Sequence, residues 1–353
     1  MNVPVALVRD LVSRAGLAPS THNTQPWSWS ALACADDPGL AGGVELNQVR
    51  ERGLLLGDPG GRELVISCGA ALLTLRVAAA EHLVDTVVEV LPDPARPDLL
   101  ARVLFVEGAV DAAFSGLDAA VPVRHTWRRD FTARKPSPAL LSRLVAEAAA
   151  EGARLHLLAP QDVPLLATLV RASARDLSTD RERRAELARW LRPRWRGDGI
   201  PAAAIRVLPA RMALRRGLIG RRIAARDAAL LLAAPAVAVL STAADDQAGR
   251  LAAGQALQRM LLVATAEGVA AGFANGPCQD VRHRAAVAAL LDDGTIPQLV
   301  MRLGCPAGTA RPLPRRALDD VLVWPGPGGR CLTLPGQDRQ PDPGEDAGED
   351  QLG

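Results

Sequence analysis

The chain has no tyrosine and a single lysine, Lys135, among its 353 residues. Aromatic residues make up 3%, so the core has to be built from Ala, Leu and Val. The five histidines are scattered without an H-x-x-x-H spacing, which removes the simplest helical metal site. The five cysteines (Cys34, Cys68, Cys278, Cys305, Cys331) form no CxxC pair, so neither a zinc ribbon nor a redox dithiol is expected. Such usage fits a reduced, cytoplasmic protein. The longest apolar run, 228–240, is 13 residues and contains Pro235. Crossing a bilayer takes about 20 residues. Arg9 and Asp10 interrupt the N-terminus, so no signal peptide is expected. Charge of one sign is also missing: 41 basic residues face 39 acidic ones, for a net charge of +2. That balance argues against a dedicated nucleic-acid binder.

What is present is a 48% hydrophobic, globular composition. Helical spacing runs over 3–17, 62–81, 136–150, 160–192 and 248–267. The pattern predicts strands at 27–33, 44–49, 86–91, 101–106, 155–158, 236–241 and 297–303. Residues 193–235 read as irregular and Arg-rich. Without regular βαβα alternation the class is α+β. From Pro325 the composition turns to Gly, Pro, Asp and Glu, predicting a disordered acidic tail over 325–353. Residues 338–353 hold six acids and one Arg. Their net −5, within a total of +2, leaves +7 on the rest of the chain.

A faint internal repeat aligns 68–82 with 253–267 at an offset of 185, matching Gly69 with Gly254, Ala71 with Ala256, Leu72 with Leu257 and Ala79 with Ala264. The order of elements around the two helices also matches. Two related halves packed as an intramolecular pseudo-dimer are expected, 1–107 and 108–324.

The segment Ala18-Pro19-Ser20-Thr21-His22-Asn23-Thr24-Gln25-Pro26-Trp27 is a loop between a helix and a strand, crowded with small polar groups and fixed by two prolines. Composition alone leaves open a capped turn or a loop that offers hydroxyls, an amide and backbone N–H groups to a polar ligand.

This segment resembles the A-P-S-x-x-N-x-Q-P-W motif of the nitroreductase family. Together with "DPGGRELVISCGAAL" (58–72) and "RHTWRRDF" (124–131), it resembles the Acg-like branch, which fuses two nitroreductase-like halves in one chain. The resemblance covers about residues 5–323 and implies an FMN-binding, nitroreductase-like fold. It implies that Pro19, Ser20, Thr21 and Asn23 touch the ribityl chain and ring. Arg124, His125, Thr126 and Arg128 match the family's arginine motif. Gly272, Phe273, Ala274, Asn275 and Gly276 fall where the loop over flavin N5 belongs. Arg315 and Arg316 fall at the basic pair that takes the phosphate.

These residue types suit that chemistry. A phosphate dianion is answered by guanidinium groups through paired, charge-assisted hydrogen bonds. Arg124, Thr126 and Arg316 are the first choices for the phosphate, ahead of Arg315. Arg128 matches the position of a cation beside N1 and the C2 carbonyl, where a reduced flavin gathers charge. His22 is expected to make contact at most. The second half lacks the A-P-S-x-x-N loop and the first half lacks the arginine motif, so one complete site per chain is expected, without need of dimerisation.

Within the insert 193–230, Arg211, Arg215, Arg222 and Arg226 share one helical face. Three readings are open: a solvated helix, a patch touching membrane or nucleic acid, or a lid over the flavin. The resulting expectation is an FMN oxidoreductase carrying electrons from NAD(P)H to a nitroaromatic or quinone-like acceptor. The alternative is an FMN-sequestering, stress-associated protein with an occluded flavin. No nucleic-acid or membrane partner is expected, and no metal.

Overall fold

The computed structural model describes residues 1–34, 36–194, 197–201 and 218–324, without the side chains of 178 and 218–224. The predicted acidic tail lies outside the described residues, as do Arg211 and Arg215 and the side chain of Arg222.

The elements of the first half run in the order β1 (Val3–Pro4), α1 (Val5–Ala15), β2 (Trp27–Ala33), β3 (Leu40–Gln48), α2 (Arg62–Glu81), β4 (Asp85–Val90) and β5 (Leu99–Val106). Then come α3 (Pro138–Ala150), β6 (Arg154–Leu157), α4 (Val163–Thr179), α5 (Arg181–Trp190), β7 (Leu191–Arg192), β8 (Ile200–Pro201) and α6 (Leu218–Leu232). The chain closes with β9 (Ala236–Thr242), α7 (Gln247–Ala266), β10 (Ala270–Phe273), α8 (Gly276–Gln279), α9 (Val281–Leu291), β11 (Ile296–Gly304) and β12 (Leu322–Val323).

The two sheets carry the same design. One contains the run β2-β3-β5-β4, the other the run β6-β9-β11-β10, and neighbours along both runs are antiparallel. In each half a helix (α1, α3) precedes the first strand and a long helix (α2, α7) follows the second. The fold is thus two tandem copies of one α+β unit. The copies differ mainly by an insertion: 34–39 joins β2 to β3, whereas 158–235, with α4, α5 and α6, joins β6 to β9. β12 returns from the second half to pair in parallel with β2 at the edge of the first sheet.

Alternation along β9 explains why the second sheet is covered on both faces. Ala238 and Leu240 enter the core shared with α3 and α7. Val237 and Val239 enter a separate core with α4, α6 and α9. The first sheet has one apolar face, packed on α1 and α2. Its other face carries Glu45 on β3, paired across the register with Arg102 and reached also by Arg96.

Helix α2 is apolar on nearly every side, and it is correspondingly buried from Arg62 to Ala79 with few breaks. Its length and composition would let it cross a membrane, yet 89% of that stretch is inside the protein. It packs between the halves against α7.

Two sequence expectations need correction. The helical stretch 160–192 is two helices, because Asp180 ends α4 and caps α5, accepting from the N–H groups of Glu182 and Arg183. The stretch 193–235 is not irregular throughout: α6 fills its end, and Ala228 and Leu231 are fully buried. Gly217 and Gly220 and the arginine density hid that helix, whose apolar face answers a tertiary surface rather than a strong local period.

Candidate functional site

The loop after α1 is held in an unusual backbone. His22, Asn23 and Gln25 have φ of 49°, 58° and 50°, the left-handed region that side chains other than Asn and Gly rarely adopt. Hydrogen bonds on all sides hold it there. The Gln25 N–H donates to Ser20 Oγ at 3.0 Å, and the Thr21 N–H to Ser67 Oγ on α2 at 3.3 Å. Asn23 Nδ2 donates to the carbonyls of Gly199 and Pro314, both at 3.0 Å, and Asn23 Oδ1 accepts from Arg315 at 3.1 Å. Gln25 Nε2 reaches the Gly197 carbonyl at 2.8 Å. Backbone strain stored and over-determined in this way is characteristic of functional loops.

This loop closes one side of two adjoining cavities. The larger, about 460 Å³, is lined by Pro19, Ser20, Thr21 and His22, by Glu63, Ile66 and Ser67 of α2, by Thr126, Trp127 and Arg128, and by Phe273, Ala274, Asn275 and Gly276. Its far wall comes from α4, α5, α6 and β7–β8, including Leu177, Leu187, Leu191, Ile200 and Leu230. The smaller, about 290 Å³, is lined by Ser20, Asn23, Arg124, His125, Thr126, Arg128 and Arg315. Pro19, Ser20, Thr126, Trp127 and Arg128 border both. Both halves of one chain build the pair.

The smaller cavity gathers positive charge. Arg124 is 7% exposed, and burial together with Arg315 and Arg128 lowers its guanidinium to about 9. Burial lowers Arg128 and Arg315 to about 10 each. No carboxylate pairs with any of the three among the described residues. The Nε atoms of Arg124 and Arg315 are buried without a partner. Cations shielded from water without a counter-charge are costly, and such a cluster is suited to an anion.

Most of the sequence-derived site residues converge here, with exceptions. Arg316 lines neither cavity: its guanidinium is spread over the carbonyls of Gln25, Trp27 and Asp320, and its backbone N–H donates to Gln25 Oε1 at 2.8 Å. Of the pair, Arg315 lines the smaller cavity and Arg316, the one ranked first from sequence, does not. Gly272 also lies off the cavities. A Cβ there would sit 2.5 Å from the Trp127 carbonyl and 2.7 Å from Arg302, so the glycine permits the close approach of β10 to the 126–127 segment. His125 is at the rim of the smaller cavity, its Nδ1 2.9 Å from the Val123 carbonyl.

The loop over the larger cavity narrows to two donors. The Ala274 N–H is taken by the Val300 carbonyl at 3.0 Å. The N–H groups of Asn275 and Gly276 have no partner among the described residues. His22, expected to make contact at most, is placed at the cavity wall. It lines the larger cavity, and burial followed by the nearby Arg128 lowers its imidazole to about 4, so it is neutral near pH 7.

Asp227 and Glu186 had no sequence signal of their own, whereas Arg226 belongs to the arginine face read in the insert. Asp227 on α6 lines the larger cavity, its carboxyl raised by burial to about 6 despite Arg226 and Arg302. Arg226 donates to the Arg128 carbonyl at 2.7 Å and so ties the insert to the arginine segment. Glu186 of α5 is buried and accepts from the N–H groups of Leu56 (3.0 Å) and Gly57 (2.8 Å), seating α5 on the first half.

No family model matches the chain. Full-length relatives do. It is 33% identical over 330 residues to the Mycobacterium tuberculosis protein Rv3131, named as an NAD(P)H nitroreductase, covering 90% of this chain and 91% of that one. It is 30% identical over 329 residues to the M. tuberculosis protein acg, also named as an NAD(P)H nitroreductase, covering 91% and 96%. The uncharacterised M. tuberculosis protein Rv3127 is 30% identical over 326 residues. Among solved structures, the FMN- and NADPH-dependent nitroreductase NfnB from a Sphingopyxis strain aligns over 60% of this chain and 99% of its own, at 20% identity and TM-score 0.40. An FMN-bound nitroreductase from Desulfitobacterium hafniense aligns over 60% and 98%, at 16% identity and TM-score 0.38. With a third of its residues shared over nine-tenths of its length, the chain belongs to the nitroreductase family, in the Acg-like branch of two-unit chains.

Proposed function

We propose that the protein is an FMN-dependent oxidoreductase that takes electrons from NAD(P)H and passes them to a nitroaromatic or quinone-like acceptor. The observation that carries the reading is the buried, acid-free cluster of Arg124, Arg128 and Arg315 beside the Pro19–Asn23 loop. A phosphate dianion is the counter-charge this cluster lacks, and the orphaned Nε atoms of Arg124 and Arg315 give it donors. The larger cavity has room and an apolar lining for a flat ring system, with the Asn275 and Gly276 N–H groups at its wall. The residues present therefore fit FMN.

When bound, FMN supplies the two-electron redox chemistry. The protein's part is placement and field. Arg124 and Arg315 would hold the phosphate end, Ser20 and Asn23 would border the polyol, and Arg128, at the junction of the cavities, would set a positive charge where a reduced flavin is electron-rich. The aliphatic roof from Leu177, Leu187, Leu191 and Ile200 keeps water from the ring and favours a flat, apolar acceptor. The reading sets the protein in a reducing cytoplasm, in keeping with the unbridged thiols Cys68, Cys278 and Cys305.

A second reading, FMN sequestration with little turnover, is favoured by the roof itself. Glu186 pins α5 to the 56–57 backbone, Arg226 bonds the Arg128 carbonyl, and the 197–199 strap bonds Asn23 and Gln25. The lid expected over 193–230 falls in large part outside the described residues. Anaerobic titration of the yellow protein tests both readings. Bleaching of the flavin band near ~450 nm by NADH or NADPH supports the reductase. Bleaching by dithionite alone supports sequestration, and a protein that is colourless and takes up no added FMN overturns both.

A further inference from the structure

The motif Asp58-Pro59-Gly60-Gly61-Arg62-Glu63 carries part of the family resemblance without a role of its own, and it delivers two buried charged residues to the boundary between the halves. Gly61, with φ +60°, makes the turn into α2, and Asp58 accepts from the Leu64 N–H at 3.0 Å. The next residues, Arg62 and Glu63, are 5% and 2% exposed. Arg62 crosses to Gln298 on β11, bonding its carbonyl and side chain. Glu63 points at the 273–276 loop. Its carboxylate accepts from the Asn275 side-chain amide, from Gln279 Nε2 at 3.1 Å on both oxygens, and from Arg62 at 3.3 Å.

Asn275 is held from both ends. Its amide nitrogen donates to Glu63, and its Oδ1 accepts from the Val300 N–H at 3.1 Å. With its side chain clamped, Asn275 is held at the cavity wall, which Asn275, Gly276 and Glu63 all line. A residue 212 positions away in sequence therefore sets the attitude of the loop.

The geometry points to Glu63 as a positioning residue for this loop, which also places a fixed negative charge in the wall of the flavin cavity. The inference rests on the FMN reading. Two consequences separate it from a merely structural role. Removing the clamp releases the loop and weakens FMN binding. Removing only the charge favours the electron-rich reduced flavin.

The test uses the full chain loaded with FMN, by fluorescence titration for affinity and spectroelectrochemistry for the midpoint potential. Glu63→Gln, which keeps the shape and one acceptor, is expected to hold FMN within about threefold of wild type while its potential moves positive. Glu63→Ala is expected to weaken FMN about tenfold or more. Asn275→Ala removes the clamp from the loop side and should weaken FMN to a similar degree even if Glu63→Ala does not fold. Wild-type affinity and potential in Glu63→Gln, with wild-type affinity in Asn275→Ala, overturn the inference. A wild-type protein that binds no FMN overturns instead the reading beneath it.

Discussion

Gly69 on α2 and Gly254 on α7 meet where the two helices come closest to touching, each against the backbone of the other helix. A Cβ added to Gly69 would lie 2.9 Å from the Gly254 Cα, and one added to Gly254 would lie 2.8 Å from the Gly69 Cα. Each would also collide with a carbonyl: Gly69 with that of Leu251, Gly254 with that of Ile66. Leu251 and Ile66 each stand three residues before the opposing glycine, so the contact is isologous, as in a symmetric dimer. Gly69 and Gly254, one of the four pairs that the sequence repeat aligns, are thus the two residues at this contact.

Gly254→Ala is accordingly expected to destabilise the chain by about 3 kcal/mol, the overpacking cost outweighing the better helix propensity of alanine. Gly69→Ala should cost a similar amount. Gly60→Ala, where nothing lies within 4 Å, is the control and should stay within about 0.5 kcal/mol. Urea unfolding of the three variants checks this. Wild-type stability in Gly254→Ala would mean that the helices can separate without loss.

The arginine cluster predicts opposite effects on stability and function. In Arg124→Gln a buried cation without a counter-charge is replaced by a neutral group. The FMN-free protein is expected to melt at the same temperature as wild type or higher, while FMN binding weakens about 10- to 100-fold. Arg315→Gln should weaken FMN likewise. Arg316→Gln should leave affinity nearly unchanged and lower the melting temperature, because its guanidinium holds three backbone carbonyls. Equal losses of affinity at Arg315 and Arg316 would contradict the geometry.

How much of this was readable from sequence differs from residue to residue. The Pro19–Asn23 loop was legible because its chemistry is local, packed into ten residues. The Gly69/Gly254 pair was legible because each sits inside a long apolar helix with the same neighbours. The order of Arg315 and Arg316 was not, since adjacent arginines differ only in what surrounds them. Glu63 was quoted in a motif without a role, because its partners Asn275 and Gln279 lie more than 200 positions away. The strand β10 was missed because Ala270-Ala271-Gly272-Phe273 has little strand propensity, and pairing with β11 supplies what the sequence does not.

Acid sensitivity should centre on His22. Its folded-state value of about 4 lies below the ordinary 6.5 of the unfolded chain. The unfolded chain therefore binds the proton first as pH falls. The stability tied to a neutral His22 is fully present above about pH 6.5 and is lost progressively down to about pH 4. His22→Asn removes the titrating group, and asparagine accepts the left-handed backbone at φ 49°. Denaturation midpoints at pH 7.5 and 5.0 should fall less in this variant than in wild type. Parallel losses in the two proteins would assign the acid sensitivity elsewhere.

Glu186 offers the direct test of whether the roof governs access. Its carboxylate caps two backbone N–H groups of the first half, and Leu187 on the next position of α5 lines the larger cavity. Glu186→Ala removes the seat without touching a residue at the arginine cluster or the 273–276 loop. If α5 restricts entry, anaerobic bleaching by NADPH should speed up several-fold, with FMN affinity within about threefold of wild type. A substantial gain would favour a roof that holds the flavin out of reach, as in the sequestration reading. An unchanged rate alongside wild-type affinity would show that nucleotide reaches the site past a fixed α5, and the rate would then be set at the cavity itself.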